Sequence, residues 1–223
     1  MKDFTLIISA LPGGGKGSQG QLLQQQLKAN YVATGDIIRE MRNASSPLGK
    51  EIKQRYDQGI PQPDEVIVEV FKNTLEKLIA QNNHKRFILD GFPRSLSQAK
   101  LLDQFATELN IPKAYYIYLN VKPESVVKRL AKRLFCSKCY TSYLPAHPEY
   151  QTKICSKCGG KLTHRDQDQP EIIKIRLKKE KQIIDQLIKY YQDNQRIIMV
   201  DGEPSIEEVN KTVKQALNEK GLI

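Results

Sequence analysis

The chain predicts an α/β fold, with a central parallel five-stranded sheet flanked by helices, on three observations. Strand-like apolar runs recur at Phe4–Ser9, Arg86–Asp90, Tyr115–Val121 and Arg196–Asp201, with a shorter one at Tyr31-Val32-Ala33. Helical stretches fall between them, at about 17–29, 36–58, 64–82, 95–108, 123–134, 170–193 and 205–219. Parallel strands need long crossovers, and helices supply them, so this alternation reads as a parallel sheet covered on both faces. The third observation is a glycine-rich turn, Pro12-Gly13-Gly14-Gly15-Lys16-Gly17-Ser18, placed directly after the first strand. A turn at the C-terminal end of a strand puts a ligand in the crevice above the sheet.

The first strand is read from the apolar run Phe4-Thr5-Leu6-Ile7-Ile8, and the Gln-rich segment after the turn reads as a helix with an exposed face. Between them the glycines free the backbone to fold around an anion. The amides of Gly13–Ser18 and the helix N-terminus then point at phosphate, and Lys16 supplies a mobile positive charge. The strict G-x-x-x-x-G-K-[ST] pattern fails here, because Ala10 stands at the first glycine position and Gly17 separates Lys16 from Ser18. An ordinary glycine-rich strand-to-helix turn is the alternative.

Two segments break the alternation. Residues 33–62 are helical without a full strand, and residues 132–168 carry prolines, few long apolar runs and all four cysteines. Each is expected to be an excursion from a core made of 1–32, 63–131 and 169–223. The cysteines form Cys136-x-x-Cys139 and Cys155-x-x-Cys158, two knuckles whose spacing suits four thiolates around one zinc ion. Free thiols, or two disulfides that a cytosolic chain seldom keeps, are the alternatives. Four sulfurs leave no open position, so this zinc would be structural, and His147 and His164 read as surface residues.

Composition sets bounds on function. At 223 residues there is room for one large α/β domain with insertions. The start, Met1-Lys2-Asp3-Phe4, does not read as a secretory signal, and no apolar stretch approaches membrane-spanning length, so a cytoplasmic protein is expected. Thirty-five Lys+Arg against 25 Asp+Glu give a net charge of +10, which suits anionic partners: nucleotides, nucleic acid or an acidic membrane surface. Much of it lies in helical stretches such as 174–181, where a solvated face explains it equally well.

Asp90-Gly91-Phe92-Pro93-Arg94 closes the second long strand. An acid there can hold a magnesium-bound water, and an arginine there projects over the sheet end where phosphates would lie. With the glycine loop, this resembles the adenylate kinase family of nucleoside monophosphate kinases. Thr34-Gly35-Asp36-Ile37-Ile38-Arg39 is similar to that family's monophosphate-site signature, and Asp90-Gly91-Phe92-Pro93-Arg94-x-x-x-Gln98 to its most specific motif. Arg129-x-x-x-Arg133 resembles the opening of its lid, the cysteines match the zinc-bearing version of that lid, and Arg165 and Arg176 match its closing arginines.

The resemblance implies a P-loop kinase core with a helical monophosphate-binding insertion and a zinc-knuckle lid. It implies reversible conversion of ATP and AMP into two ADP by a monomer that needs neither nucleic acid nor membrane. Lys16 and the amides of Gly13, Gly14, Gly15, Gly17 and Ser18 would hold the triphosphate, with Arg129 stacked on the donor base. Ser18 and Asp90 would serve Mg2+, and Cys136, Cys139, Cys155 and Cys158 would hold Zn2+. Arg39 and Arg94 would clamp the acceptor phosphate, since guanidinium forks suit phosphate oxygens. Thr34, Ile60, Pro61, Gln62, Gly91, Phe92 and Pro93 would line the AMP site, where the Gln98 amide can both donate to and accept from an adenine edge. Arg133, Arg165 and Arg176 would gather around the transferring group. Thr34 as a plain helix cap, and Asp168 as a cap before Pro170, are the alternatives at those positions.

Three departures bear on rate and specificity. Ala10-Leu11 replaces the usual Gly-Ala, so the loop must start in extended geometry and donor binding is expected to weaken. Pro61-Gln62 replaces Leu-Val beside the acceptor's base, and Gln167 replaces a carboxylate in the lid. A kinase for another nucleoside monophosphate is therefore the second reading. A kinase-derived basic zinc protein that binds nucleic acid or a partner is a third, but it leaves the ordered set of arginines unexplained, and the lid segment lacks dense aromatic–basic interleaving.

Overall fold

The computed structural model describes residues 2–223 except 59, 61, 140, 146 and 165–169, with backbone alone at 57, 170 and 171. Strands β1 (Phe4–Ala10), β2 (Asn30–Ala33), β3 (Arg86–Asp90), β4 (Tyr115–Asn120) and β8 (Ile197–Asp201) pair in the order β2-β3-β1-β4-β8, all parallel. The five predicted strands are therefore present, each within a residue or so of its expected bounds. From β1 the chain moves to one side of the sheet, to β2 and then β3, and only afterwards crosses to β4 and β8 on the other. The loop after β1 thus lies at the point where the strand order reverses, which is where open α/β sheets leave a crevice.

Alternation along each strand feeds two apolar layers. Phe4, Leu6, Ile8 and Ala10 of β1 face helices α1 (Lys16–Leu27) and α9 (Ile206–Glu219) through Leu23, Leu27, Val209, Val213 and Leu217. Ile7 faces the opposite layer, built with α4 (Asp64–Gln81), α5 (Leu96–Glu108), α6 (Pro123–Ala131) and α8 (Pro170–Asp193). Covering both faces is what lets the strands be apolar almost throughout.

Two helix boundaries differ from the sequence expectation. The stretch 36–58 is two helices, α2 (Thr34–Met41) and α3 (Pro47–Asp57). Ser46 caps α3 by accepting from the Gly49 N–H at 3.1 Å, and Pro47 takes the first helical turn, where its missing N–H costs nothing. The stretch 123–134 ends as helix at Ala131, because Leu134–Cys136 becomes strand β5. There it pairs antiparallel with β6 (Ser142–Tyr143) and β7 (Leu162–Thr163), with the short helix α7 (Glu149–Thr152) between those two strands. This small sheet has its own buried cluster of Leu134, Cys136, Tyr143, Cys155 and Leu162. Among the described residues no helix is long and apolar enough to cross a membrane.

Candidate active site

The turn after β1 is shaped by what its glycines lack. Gly13 and Gly15 adopt φ of 83° and 91°, a region that side chains disfavour. The Gly14 N–H closes the turn onto the Leu11 carbonyl at 2.8 Å. A Cβ on Gly14 would stand 2.7 Å from the Ala10 Cβ and 2.9 Å from the Leu11 oxygen. Ala10 belongs to extended β1, as its Cβ requires, and its methyl is accommodated because Gly14 has none. Gly14→Ala should therefore displace the turn and weaken ATP binding at least tenfold in a calorimetric titration, with the circular dichroism of the fold retained. Unchanged affinity would show that the turn does not shape the nucleotide site.

Helix α1 begins at Lys16 with Gly15 at its N-cap, no side-chain cap bond and no acid in its first turn. Among the described residues no side chain caps its leading amides, and the helix dipole favours an anion there. Ser18 lies half-buried in that first turn. Asp90, the last residue of β3, faces the same point, since a Cβ on Gly17 would lie 3.8 Å from its Oδ2. Burial lowers the pKa of half-buried Lys16, and the Asp90 carboxylate opposes that shift. Arg94 and Arg133 lower it further and Glu180 raises it, so these five charges act on one locus.

Two contributors were not picked out from the sequence. Tyr31 on β2 donates its hydroxyl to Asp90 Oδ2. Burial first, and then the Asp90 charge, push its pKa far above the ordinary phenol range, so it remains a donor. Glu180 on α8 sits within a run of basic residues, and nothing in that run marks it. Its charge is felt at Lys16 only through the way α8 packs.

Of the predicted acceptor residues, Thr34, Arg94 and Gln98 meet at the turn after β3. Thr34 is the first residue of α2, with Ala33 in the cap position, so the capping alternative is not what the structure has. Its hydroxyl instead donates across the strands to the Gly91 carbonyl at 2.7 Å. Arg94 is exposed and donates from Nε to the same carbonyl at 3.0 Å. Phe92 is buried, with its ring stacked 4.2 Å from Phe71, and Pro93 is buried beside it, so both anchor the turn. Gln98 is 4% exposed, and its amide is engaged at both ends inside the protein, with the Arg94 N–H and with Asp64. Arg39 lies over Gly35 and pairs with Asp36 one turn away.

Gln62 donates to the Ile52 carbonyl at 3.1 Å, and its buried Oε1 meets no partner among the described residues. Ile60 is exposed. Of the remaining predicted residues, Arg129 donates to the Gly202 and Glu203 carbonyls beyond the end of β8, at 3.2 and 3.4 Å. The Arg133 guanidinium lies 4.4 Å from the Phe135 ring centroid, and Arg176 is half-buried on α8. Pro61, Arg165, Gln167 and Asp168 lie outside the described residues.

The four cysteines come together, their sulfurs all within 4.8 Å of one another and none in a disulfide. Sulfur pairs lie at 3.3 Å (Cys136–Cys158), 3.5 Å (Cys139–Cys155) and 3.7 Å (Cys155–Cys158). A tetrahedron with Zn–S bonds of about 2.3 Å has edges of about 3.8 Å, so the donor set fits zinc in number, chemistry and size. Backbone N–H groups of Lys138 and Cys139 point at Cys136 Sγ, and the Tyr143 hydroxyl lies 3.1 Å from Cys155 Sγ. His147 accepts the Leu144 N–H through Nδ1 and packs edge-on to Tyr143, while His164 is exposed.

Sheet order, a glycine cradle at the strand-order reversal and an acid on the adjoining strand define a P-loop α/β kinase core. The adenylate kinase family model matches residues 8–196, and the chain belongs to that family. It is 38% identical over 215 residues to an adenylate kinase of Archaeoglobus fulgidus, covering 96% of this chain and 98% of the relative. It is 35% identical over 218 residues to one of Oceanobacillus iheyensis, with 97% and 100% covered. Against one of Acetivibrio thermocellus the figures are 34% over 215 residues, with 96% and 97% covered. The chain is an enzyme of this kind, a nucleotide phosphotransferase.

Proposed function

We propose that this protein catalyses reversible transfer of the ATP γ-phosphoryl group to AMP, giving two ADP. The observation that carries the reading is that Lys16 and Asp90 meet at the glycine turn at the sheet's reversal point, where the charges of Arg94 and Arg133 are also felt. Family membership and the named relatives support it. In the forward direction an AMP phosphate oxygen bonds to the γ-phosphorus as the bond to the β–γ bridging oxygen breaks, and the electron pair leaves on ADP.

Such a transfer needs positioning and charge neutralisation more than covalent help. The amides of Gly13–Ser18 and Lys16 hold the donor phosphates, and Arg39 and Arg94 clamp the acceptor. Arg133, Arg165 and Arg176 gather on the group in flight, and Arg129 stacks on the donor base. Thr34, Ile60, Pro61, Gln62, Gly91, Phe92, Pro93 and Gln98 border the acceptor. Ser18 directly, and Asp90 through water, would hold the Mg2+ that travels with ATP and supplies positive charge at its phosphate oxygens. Tyr31 holds the Asp90 carboxylate in place. We read 33–62 and 132–168 as covers that close and exclude water, with the core at 1–32, 63–131 and 169–223. Zinc on the four cysteines would staple the second cover without taking part in chemistry. A cytoplasmic monomer acting on free nucleotides completes the reading.

A coupled assay with ATP and each nucleoside monophosphate tests it, with AMP the preferred acceptor. Activity with none of them would overturn the reading. The departures at 61–62 and 167 divide the expected effects. Gln62 carries a buried carbonyl without a partner among the described residues, next to the predicted acceptor site, so it belongs to base choice. Restoring Leu-Val at 61–62 should sharpen AMP preference with kcat nearly unchanged, whereas Gln167→Asp should raise kcat with little change in selectivity. The reverse pattern, read from kcat and KM for each acceptor, would refute that division.

A further inference from the structure

Phe135 lies on the centre strand of the small sheet, β5, with Ser142 paired on one side and Thr163 on the other. Side chains alternate along a strand. Its neighbours Leu134 and Cys136 turn into the buried cluster of that sheet, so Phe135 turns to the other face. Phe135 is 7% exposed, yet it belongs to none of the three apolar clusters among the described residues. What lies over its ring is a cation, the Arg133 guanidinium, 4.4 Å from the centroid.

Arg133 stands where α6 has ended and β5 has not begun. Its backbone N–H is held by the Leu130 carbonyl at 3.0 Å. Leu130 is buried and packs on the glycine turn, since a Cβ on Gly13 would stand 2.8 Å from its Cγ and Cδ2. The backbone of Arg133 is thus tied to the phosphate turn, and its charge is felt at Lys16. Beyond that backbone runs a long flexible stem, so the charge has no fixed place unless its far end is held. An aromatic ring can hold it, because the negative ring face attracts a guanidinium. A ring already fixed in a sheet loses little further freedom in doing so.

We propose that Phe135 is a positioning residue for phosphoryl transfer, its ring holding the Arg133 guanidinium at the place from which it serves the transferred group. The proposal rests on the reading of Arg133 as one of the arginines that gather on that group. It gives the small sheet a part in the reaction, as the mount of the ring.

The test varies the charge distribution of the ring at nearly constant shape. Progressively fluorinated phenylalanines are placed at 135 in the full chain, because fluorine draws electron density from the ring face and weakens its hold on a cation. Turnover should fall stepwise, by about three- to thirtyfold across the series, the range for one such contact between exposed and desolvated settings. Zinc content and KM for AMP should stay near the parent values. Phe135→Leu, which keeps an apolar side chain without a ring, should lower kcat at least as far, and Phe135→Tyr should keep most of it. In an Arg133→Met background the fluorinated series should be flat, since no guanidinium is left to hold. A flat series in the parent chain would overturn the proposal. An equal decline in both backgrounds would also overturn it, and would reduce the ring to a packing element. So would a rise in turnover with fluorination, because the ring would then be holding Arg133 away from the phosphates. Arg133→Met alone tests the underlying reading: if it keeps parental turnover, that reading fails and the proposal with it. If it lowers turnover while the parent series is flat, only the positioning by Phe135 fails.

Discussion

Lys16→Met and Arg94→Ala should each lower turnover by about a thousandfold or more, the scale expected when one preorganised charge facing a transition state is removed. Lys16 is half-buried at the first turn of α1, where burial already disfavours its charge and Asp90 opposes that. Methionine keeps the length and packing but leaves donor phosphates with no ammonium, so the loss should fall on kcat and donor affinity together. Arg94 is exposed, and its guanidinium is oriented through Nε by the Gly91 carbonyl, a fixed fork above the sheet end. Alanine there should raise KM for AMP as well as lower kcat, because ground state and transition state share the acceptor phosphate. Both variants should melt near the parent temperature. Parental turnover in both would sink the assignment of this crevice as the reaction site.

Removing zinc should produce the second large effect. The buried cluster of the small sheet has five members, and two of them are the cysteines Cys136 and Cys155. A core of that size cannot hold three short strands by apolar burial alone, so the four-sulfur site must contribute folding energy directly. One tightly bound zinc per chain is expected. Chelation, or Cys155→Ser, should melt residues 132–164 before the main sheet, lower the first thermal transition and slow turnover, because the arginines proposed to gather on the transferred group would lose their scaffold. Metal analysis without zinc, together with four thiols freely titratable in the folded protein, would refute the site. An unchanged first transition on chelation would show that metal and folding are uncoupled here.

Much of this architecture is legible in short stretches of the chain. Glycine spacing after an apolar run reports a phosphate turn because the backbone conformation it needs is local, as φ near 90° at Gly15 illustrates. The knuckles at 136–139 and 155–158 are legible for the same reason, since each fixes two sulfurs by its own turn. Strand bounds follow from the apolar runs, because strands covered on both faces are apolar almost throughout. The break between α2 and α3 is also local, a Ser46-Pro47 start signal, but helical periodicity on either side masks it in a continuous reading.

What depends on the tertiary structure is which polar atoms meet. Thr34 reads as a cap in isolation, yet its hydroxyl is taken by a carbonyl 57 positions away. The Tyr31 hydroxyl finds Asp90 across 59 positions because β2 and β3 pair in a register that sets Ala33 opposite Asp90. Ala10 is tolerable only because the turn brings it against a glycine without a Cβ. Asp64 looks like any acid in the first turn of a helix, and its carboxylate gains a partner in Gln98 only once α4 and α5 pack side by side. The chain by itself determined the elements, the phosphate turn and the metal knuckles, since local backbone conformation and side-chain spacing encode them. Strand register and helix packing decided which hydroxyl, amide and carboxylate meet, because hydrogen bonds act over about 3 Å in space and have no fixed range along the chain.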